Sequence, residues 1–306
     1  MRILLTGASG FAGRYLALRL GREHEVTGTC LSEKAPVPGC RLERLDITDP
    51  GAVRLLVKKA APELVVHAAA ISLPDPCERR PEAAWKVNVE GTSAVARAAH
   101  EAGARLIHFS TDLVFDGERP PYREEDAPRP AGVYARTKLE SERRALALCP
   151  RTAVLRLSLG YGWKPAGRPG FCDFIHRELS SGRRVSLFSD QVRTPTYLED
   201  VAEAVSRLAG LERRPGNGEG VFHLAGPERV SRLRFGELFC DVFGLDRGLL
   251  VAKRMEEFAL DAPRPVDCSL DASKLQRAIA FRSRGVEEGL RAMLTDPLTE
   301  RVGRLN

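Results

Sequence analysis

The sequence contains no Cys-x-x-Cys pair, no apolar run long enough to cross a bilayer, no clustered basic segment, no internal repeat and no low-complexity tract. The cysteines are few and dispersed: Cys30, Cys40, Cys77, Cys149, Cys172, Cys240 and Cys268. An odd number without paired spacing argues against a disulfide framework or a zinc site and fits a reducing cytoplasm. No carboxylate spacing singles out a metal site either. The apolar start Met1-Arg2-Ile3-Leu4-Leu5 ends at Thr6-Gly7, too early for a signal peptide. The apolar stretch around 64–73 is far shorter than a membrane span. The net charge of +6 is spread over pairs such as Arg79-Arg80, Arg183-Arg184 and Arg213-Arg214. A nucleic-acid surface would concentrate such charge on one element among aromatics. A solvated basic surface is the plainer reading, part of whose field a small anionic ligand could use.

What is present is the material of a large folded domain. Hydrophobic residues make up 43% and charged residues 29% of 306 positions. That excludes disorder and exceeds what a single core usually holds, so a large domain with a smaller lobe is expected. Short apolar runs at Ile3–Leu5, Val26–Cys30, Leu64–Val66 and Leu106–Phe109 read as strands buried on both faces. Helical patterns separate them: Phe11–Gly21, a helix opened by Asp49-Pro50, and the alanine-rich Ala83–Ala102, stopped by Gly103. This β-α-β order predicts an α/β fold with a doubly wound parallel sheet. Beyond residue 157 the pattern loosens. Residues 160–170 have the composition of a loop, helices are expected at Phe171–Ser180, Leu198–Leu211, Ser231–Phe243, Ala272–Ala278 and Val286–Leu294, and Val221–Leu224 reads as one more sheet strand. The expected division is a dinucleotide-binding domain from 1–157 and 189–225, and a smaller substrate lobe from 158–188 and 226–306.

Chemistry first shows at Thr6-Gly7-Ala8-Ser9-Gly10-Phe11-Ala12-Gly13, between the first strand and first helix. Glycines there permit a tight turn and close approach of a pyrophosphate, and the helix N-terminus offers free N–H groups. Gly7, Ser9, Gly10, Phe11 and Gly13 are therefore candidate cofactor residues. The second strand ends at Cys30-Leu31-Ser32 with no acid at its tip, although Glu33 lies close by. Ser32, Lys34 or Arg14 could receive a 2′-phosphate, which favours NADP(H) over NAD(H). Asp46, with Ile47, stands either at the adenine or in a helix-initiating turn.

Tyr134 and Lys138 share the i, i+4 face of an expected helix. An ammonium beside the phenol would lower the tyrosine pKa and make it a general acid or base. Exposed Tyr and Lys on one helix face is the bland alternative. Two companions weigh against it: Thr111 ends the Leu106–Phe109 strand at the ligand-binding edge, and Asn88 lies in the preceding helix.

Together these stretches resemble the extended short-chain dehydrogenase/reductase family, most of all its dTDP-4-dehydrorhamnose reductase branch. The likeness continues through Leu45–Asp49, Lys86–Thr92, Ser110–Gly117, Pro121–Asp126, Arg193–Thr196 before Asp200-Val201-Ala202, and Arg264-Pro265 before Ser269–Leu275. It implies reduction of a nucleotide-diphosphate 4-keto sugar by NAD(P)H. Tyr134 would donate the proton, Lys138 would hold the nicotinamide ribose and Thr111 would bind the carbonyl oxygen. Ala68, Ala69, Ala70 and Asn88 would complete the cofactor site. Asp112, Tyr161, Phe171, Arg193 and Arg264 would contact substrate, the arginines suiting a diphosphate. For Arg193 and Arg264 a surface ion pair is the alternative. A homodimer is compatible with the resemblance.

Three positions depart from the branch. His67 stands where Asn is frequent, Leu113 replaces a common Tyr, and Arg193 replaces a small residue. His67 reads as a packed strand residue and Cys172 as an inert thiol. Two other readings stay open: a non-catalytic NADP-binding subunit resembling the methionine adenosyltransferase β subunit, and a nucleotide-sugar epimerase. A 4,6-dehydratase would need Asp-Glu after Thr111. Here Asp112 is followed by Leu113, which counts against it.

Overall fold

The computed structural model describes residues 1–32, 36–164, 169–211 and 218–295. Seven parallel strands form the central sheet: β1 (Arg2–Thr6), β2 (Glu25–Cys30), β3 (Arg41–Arg44), β4 (Leu64–His67), β5 (Arg105–Thr111), β6 (Thr152–Leu157) and, much later, a strand at Gly220–Leu224. Their spatial order runs from Gly220–Leu224 through β6, β5, β4, β1 and β2 to β3. The chain thus winds outward from β1 to β3, then crosses back to β4. The crevice between the ends of β1 and β4 is the switch point at which such sheets bind ligands.

Residues alternate across the sheet and give it two apolar faces. Ile3, Leu5, Val66, Ile107 and Leu155 pack with Leu16 and Leu20 of α1 (Phe11–Leu20). Leu4, Val65 and Leu106 pack with Val53 and Leu56 of α2 (Pro50–Ala60) and with the alanines of a later helix at Thr92–Glu101. Small side chains on that helix let it lie close to the sheet.

The expected helix over 83–102 is three pieces. Two short helices, α3 (Pro74–Arg79) and α4 (Pro81–Trp85), lead into a π-helical stretch at Lys86–Gly91 that runs on into α5 (Thr92–Glu101). A π-turn widens the helix and marks functional segments more often than not. Next comes α6 (Val133–Leu148), the element that carries Tyr134 and Lys138.

Beyond β6 the chain makes three small paired sheets. The first joins β7 (Gly160–Tyr161) to a strand at Thr196–Tyr197. The second joins β8 (Val185–Phe188) to one at Leu250–Lys253. The third joins β9 (Val192–Arg193) to one at Val230–Ser231. Helices α7 (Phe171–Ser180), α8 (Leu198–Gly210), α9 (Arg232–Phe243), α10 (Ser273–Ile279) and α11 (Val286–Ala292) surround them. The apolar cluster on the α1 face continues unbroken into Ile175, Leu187, Phe235 and Leu290. The loop expected at 160–170 therefore begins as a strand, and residues 165–168 lie outside the described residues. Among the described residues no helix is long and apolar enough to cross a membrane. None of them group three or more His, Cys, Asp or Glu side chains in a way that could hold a metal.

Candidate active site

One cleft of about 870 Å³ runs along the carboxyl ends of the sheet strands. Its first wall is the glycine turn. Gly7 has φ +73, and a Cβ there would lie 2.8 Å from the Ala69 Cα and N. The turn after β1 and the Ala68–Ala70 segment after β4 therefore touch, and glycine makes that contact feasible. A Cβ on Gly13 would sit 2.1 Å from the Gly7 carbonyl oxygen, so this glycine lets α1 start against the turn. Helix α1 carries no acid in its first turn and no side-chain cap, which leaves its first N–H groups for another acceptor. These features fit the diphosphate of a dinucleotide.

The cleft continues past Asp46 and Ile47. Asp46 accepts hydrogen bonds from the Thr48 backbone N–H at 2.9 Å and hydroxyl at 2.8 Å. These bonds, the backbone one foremost, hold its carboxyl below the usual range. Asp46 is thus a turn-former that also lines the cleft. Ser32 is exposed and off the cleft wall, which Cys30 and Leu31 form instead. Arg14 is buried, its Nε donating to the Ser9 carbonyl at 3.3 Å. Glu33 and Lys34 lie outside the described residues.

The middle of the cleft holds Thr111, Asp112, Leu113 and Tyr134. Strand β5 delivers Thr111, whose hydroxyl oxygen accepts the Leu113 N–H at 3.2 Å and thereby fixes its own direction. Its proton goes to the Asp112 carboxylate at 3.1 Å, and the Tyr134 phenol lies close enough for Thr111 to influence its titration. Tyr134 comes from the first turn of α6 and is nearly buried. Burial raises the phenol above its ordinary pKa, a shift the Thr111 contact opposes and the Asp112 charge adds to.

Lys138 corrects the expectation drawn from its spacing. It does share the Tyr134 side of α6, but it is buried, it is not on the cleft wall, and its Nζ lies 3.4 Å from His108 Nε2. Burial pushes its ammonium down to about 8, and the Tyr134 shift runs upward, not downward as an adjacent ammonium would drive it. Spacing fixed the helix face, while the depth of α6 against β5 decided the contact. That depth is set by three side-chain ties. Ser110 donates to Glu142, which also receives Arg156 in a two-point ion pair at 3.0 and 2.9 Å. His108 meets Ser141 at 2.9 Å. Asn88 donates to Thr137 Oγ1 at 3.1 Å.

Asn88 is a second correction. It is fully buried and off the cleft wall, its amide bonded to the Ile71 N–H at 2.9 Å and the Ile71 carbonyl at 3.1 Å. It holds Ile71, which does line the cleft, and each of its amide atoms already has a protein partner. Tyr161 is a third. Strand β7 turns its ring into the core, stacked on Tyr197 at 5.7 Å with its hydroxyl on the Val286 carbonyl. Phe171 is a fourth, since it packs behind Arg232, whose guanidinium lies 4.7 Å over its ring.

Arg193 and Arg264 do line the cleft. Arg193 is buried, not on the surface, and pairs with Asp112 at 3.4 Å. Asp112 also receives Ser158 at 3.2 Å. Burial raises its carboxyl and Arg193 draws it back. Arg264 pairs with Asp75 at 2.8 Å. Sequence reasoning missed Arg232, Gln191 and Ser158 on the same wall. A helix starting at Ser231 was legible, but nothing in Ser231-Arg232-Leu233-Arg234 says which arginine turns inward. His67 is a packed strand residue bonded to Thr6 and Thr92, and burial pushes the Cys172 thiol up to about 12, as an inert group requires.

A family model described as RmlD substrate binding domain matches residues 1–298. The chain is 33% identical over 297 residues to the "Probable low-salt glycan biosynthesis reductase Agl14" of Haloferax volcanii, covering 96% of this chain and 97% of that one. It is also 33% identical over 303 residues to methionine adenosyltransferase 2 subunit beta of Xenopus tropicalis, covering 96% and 89%. Among solved structures it is similar to a dTDP-4-dehydrorhamnose reductase of Clostridium acetobutylicum, with TM-score 0.84, 29% identity and coverage of 96% and 99%.

Proposed function

Given that the chain belongs to the RmlD substrate binding domain family, we propose that it reduces the 4-keto group of a nucleotide-linked sugar with NADP(H), NAD(H) being the weaker alternative. The observation that carries this is the single cleft joining the glycine turn to the Thr111–Tyr134 pair. A dinucleotide laid on the turn and a substrate carbonyl at Thr111 would share that space. The reductases among its relatives, Agl14 and the dTDP-4-dehydrorhamnose reductase, support the same reading.

The lining of the cleft supports the following roles. Gly7, Gly10 and Gly13 would take the diphosphate of the cofactor, and Asp46 and Ile47 its adenine end. When bound, the cofactor supplies the hydride. Thr111 would donate to the substrate carbonyl oxygen and Tyr134 would protonate it. A phenol raised by burial stays protonated across the neutral range, the state a proton donor needs. Lys138 would act from behind through its charge. The smaller lobe, 158–188 and 226–306, would bind the nucleotide part of the substrate.

The test is absorbance at the nicotinamide band with dTDP-, UDP- and GDP-linked 4-keto sugars and NADPH or NADH. Oxidation with at least one pair is expected. A second reading rests on the subunit beta relative. It would have the chain bind NADP and a partner enzyme without turnover. Inertness towards every sugar, together with a stable complex with a methionine adenosyltransferase, would replace the reductase reading.

A further inference from the structure

Three guanidinium groups stand on the wall that the second half of the chain gives the cleft, and two of them are already matched. Arg264 has Asp75 at 2.8 Å and donates to the Ala262 carbonyl. Arg193 has Asp112 at 3.4 Å and donates to the carbonyls of Val192, Val266 and Pro265. Their charges and most of their donors are spent inside the protein.

Arg232 differs. It is the first residue of α9, half-buried, and among the described residues no carboxylate lies within ion-pair distance of it. Its Nε donates to the neutral Gln191 Oε1 at 3.1 Å. Its Nη1 is buried without a partner. Phe171 lies under its plane at 4.7 Å. Gln191 and Phe171 together hold the guanidinium in the cleft wall. Holding a cation there without a direct acidic partner is costly, although Asp112 favours the charge from a distance. Burial and the nearby Arg193 both act against the charge, yet a guanidinium stays protonated at neutral pH. A folded protein keeps such a group where a ligand completes it.

We propose that Arg232, not Arg193 or Arg264, recognises the oxyanion of the substrate, a phosphoryl or carboxylate group, held on by the Gln191–Phe171 support. This rests on reading the cleft as a sugar-nucleotide site, and it assigns the charge recognition within it. Two-point pairing with a planar or tetrahedral oxyanion is what a guanidinium edge provides.

The experiment is calorimetric titration of the full NADP+-saturated chain with inorganic pyrophosphate, UDP-glucose and UDP-glucuronic acid. Arg232→Gln should weaken pyrophosphate by roughly 10- to 100-fold, as for loss of a charge-assisted contact. Arg232→Lys should recover only part, since it keeps the charge but lacks the fork. Arg264→Gln should change affinity by less than about threefold because its charge is spent on Asp75. Gln191→Leu should weaken binding by a smaller factor with an unchanged melting temperature, which guards against misfolding as the cause. Equal losses with both sugar nucleotides identify a phosphoryl group. A loss confined to UDP-glucuronic acid identifies a carboxylate. Either supports the proposal. Unchanged binding of all three ligands by Arg232→Gln, or no binding of any of them by the wild-type chain, overturns it. Pyrophosphate bound through Arg232 without UDP-sugar binding would leave this site standing, and inertness in the 4-keto sugar assay would then remove the reductase reading separately.

Discussion

The Lys138 Nζ lies 3.4 Å from the Nε2 of His108. That nitrogen also faces Ser141 Oγ at 2.9 Å, whose own proton goes to the Lys138 carbonyl at 2.7 Å. Nε2 therefore either donates to Ser141 or accepts from Lys138, and cannot do both. Burial makes the ammonium easy to discharge, against the opposing pull of Glu142, and its pKa falls to about 8.

From this follows a pH dependence. The charged fraction of Lys138 is lost as pH rises through about 8. If its charge serves the reaction, kcat/KM should fall on the alkaline side of that value, while Tyr134 stays protonated there. Lys138→Met should lower the plateau and flatten the alkaline limb. A limb that survives the substitution would assign it to another group.

Tyr134→Phe removes only the hydroxyl from a nearly buried ring on the cleft wall. Turnover should drop by about 10²- to 10⁴-fold, the range for loss of a positioned acid. Cofactor affinity, read by fluorescence titration, should stay within about threefold, because the glycine turn is untouched. Retained turnover would remove the phenol from the mechanism.

Gly7→Ala places a methyl 2.8 Å from the Ala69 backbone at φ +73. The strain should cost about 1–3 kcal/mol of stability. Cofactor binding should be lost while the circular dichroism spectrum is kept. A variant that binds NADPH as well as wild type would place the dinucleotide elsewhere in the cleft.

Much of this was legible before the structure. Buried strands separated by helical periodicity dictate a parallel sheet, and the chain order then fixes where its crevice lies. Gly7 and Gly13 mark the turn at that crevice because a side chain at either would strike backbone. What sequence could not supply was depth. Lys138 and Tyr134 share a helix side, yet how far α6 sinks on β5 is set by the Ser110–Glu142–Arg156 tie, between residues 14 to 46 positions apart. Tyr161 sits in a glycine-rich run that reads as a loop, but two residues of pairing with Thr196–Tyr197 turn its ring inward. Asn88 and Phe171 were near the site in sequence logic and stand one layer behind it, holding Ile71 and Arg232.

The tie itself can be tested. Glu142 and Arg156 are both nearly fully buried, and Arg156 Nη1 has no partner even in the intact pair. Glu142→Ala would strand a buried guanidinium and should destabilise the fold by about 3–5 kcal/mol in urea unfolding. Glu142→Leu with Arg156→Met should cost much less, since both charges leave together. If the double variant unfolds as readily as the single one, the pair contributes net stability and the desolvation argument is wrong here.

Acid stability gives the last prediction. His67 and His108 stack at 5.2 Å between β4 and β5, both fully buried, and His223 is buried on the edge strand beyond β6. Burial pushes His67 and His223 down to about 3, and His108 well below its ordinary value. The folded state keeps all three neutral, whereas the unfolded chain protonates them near pH 6.5. Below that pH the unfolded state binds more protons, so stability falls as pH falls, and the loss continues until the folded pKa is reached. Well above pH 6.5 the three contribute no slope. Each imidazole should cost about 2 kcal/mol between pH 7 and pH 5. His67→Asn, which cannot titrate, should remove one such share from the pH dependence of the urea midpoint and keep the Thr6 and Thr92 contacts partly satisfied. An unchanged slope in that variant would mean that His67 is already protonated in the fold, with both ring nitrogens donating to the two threonine hydroxyls.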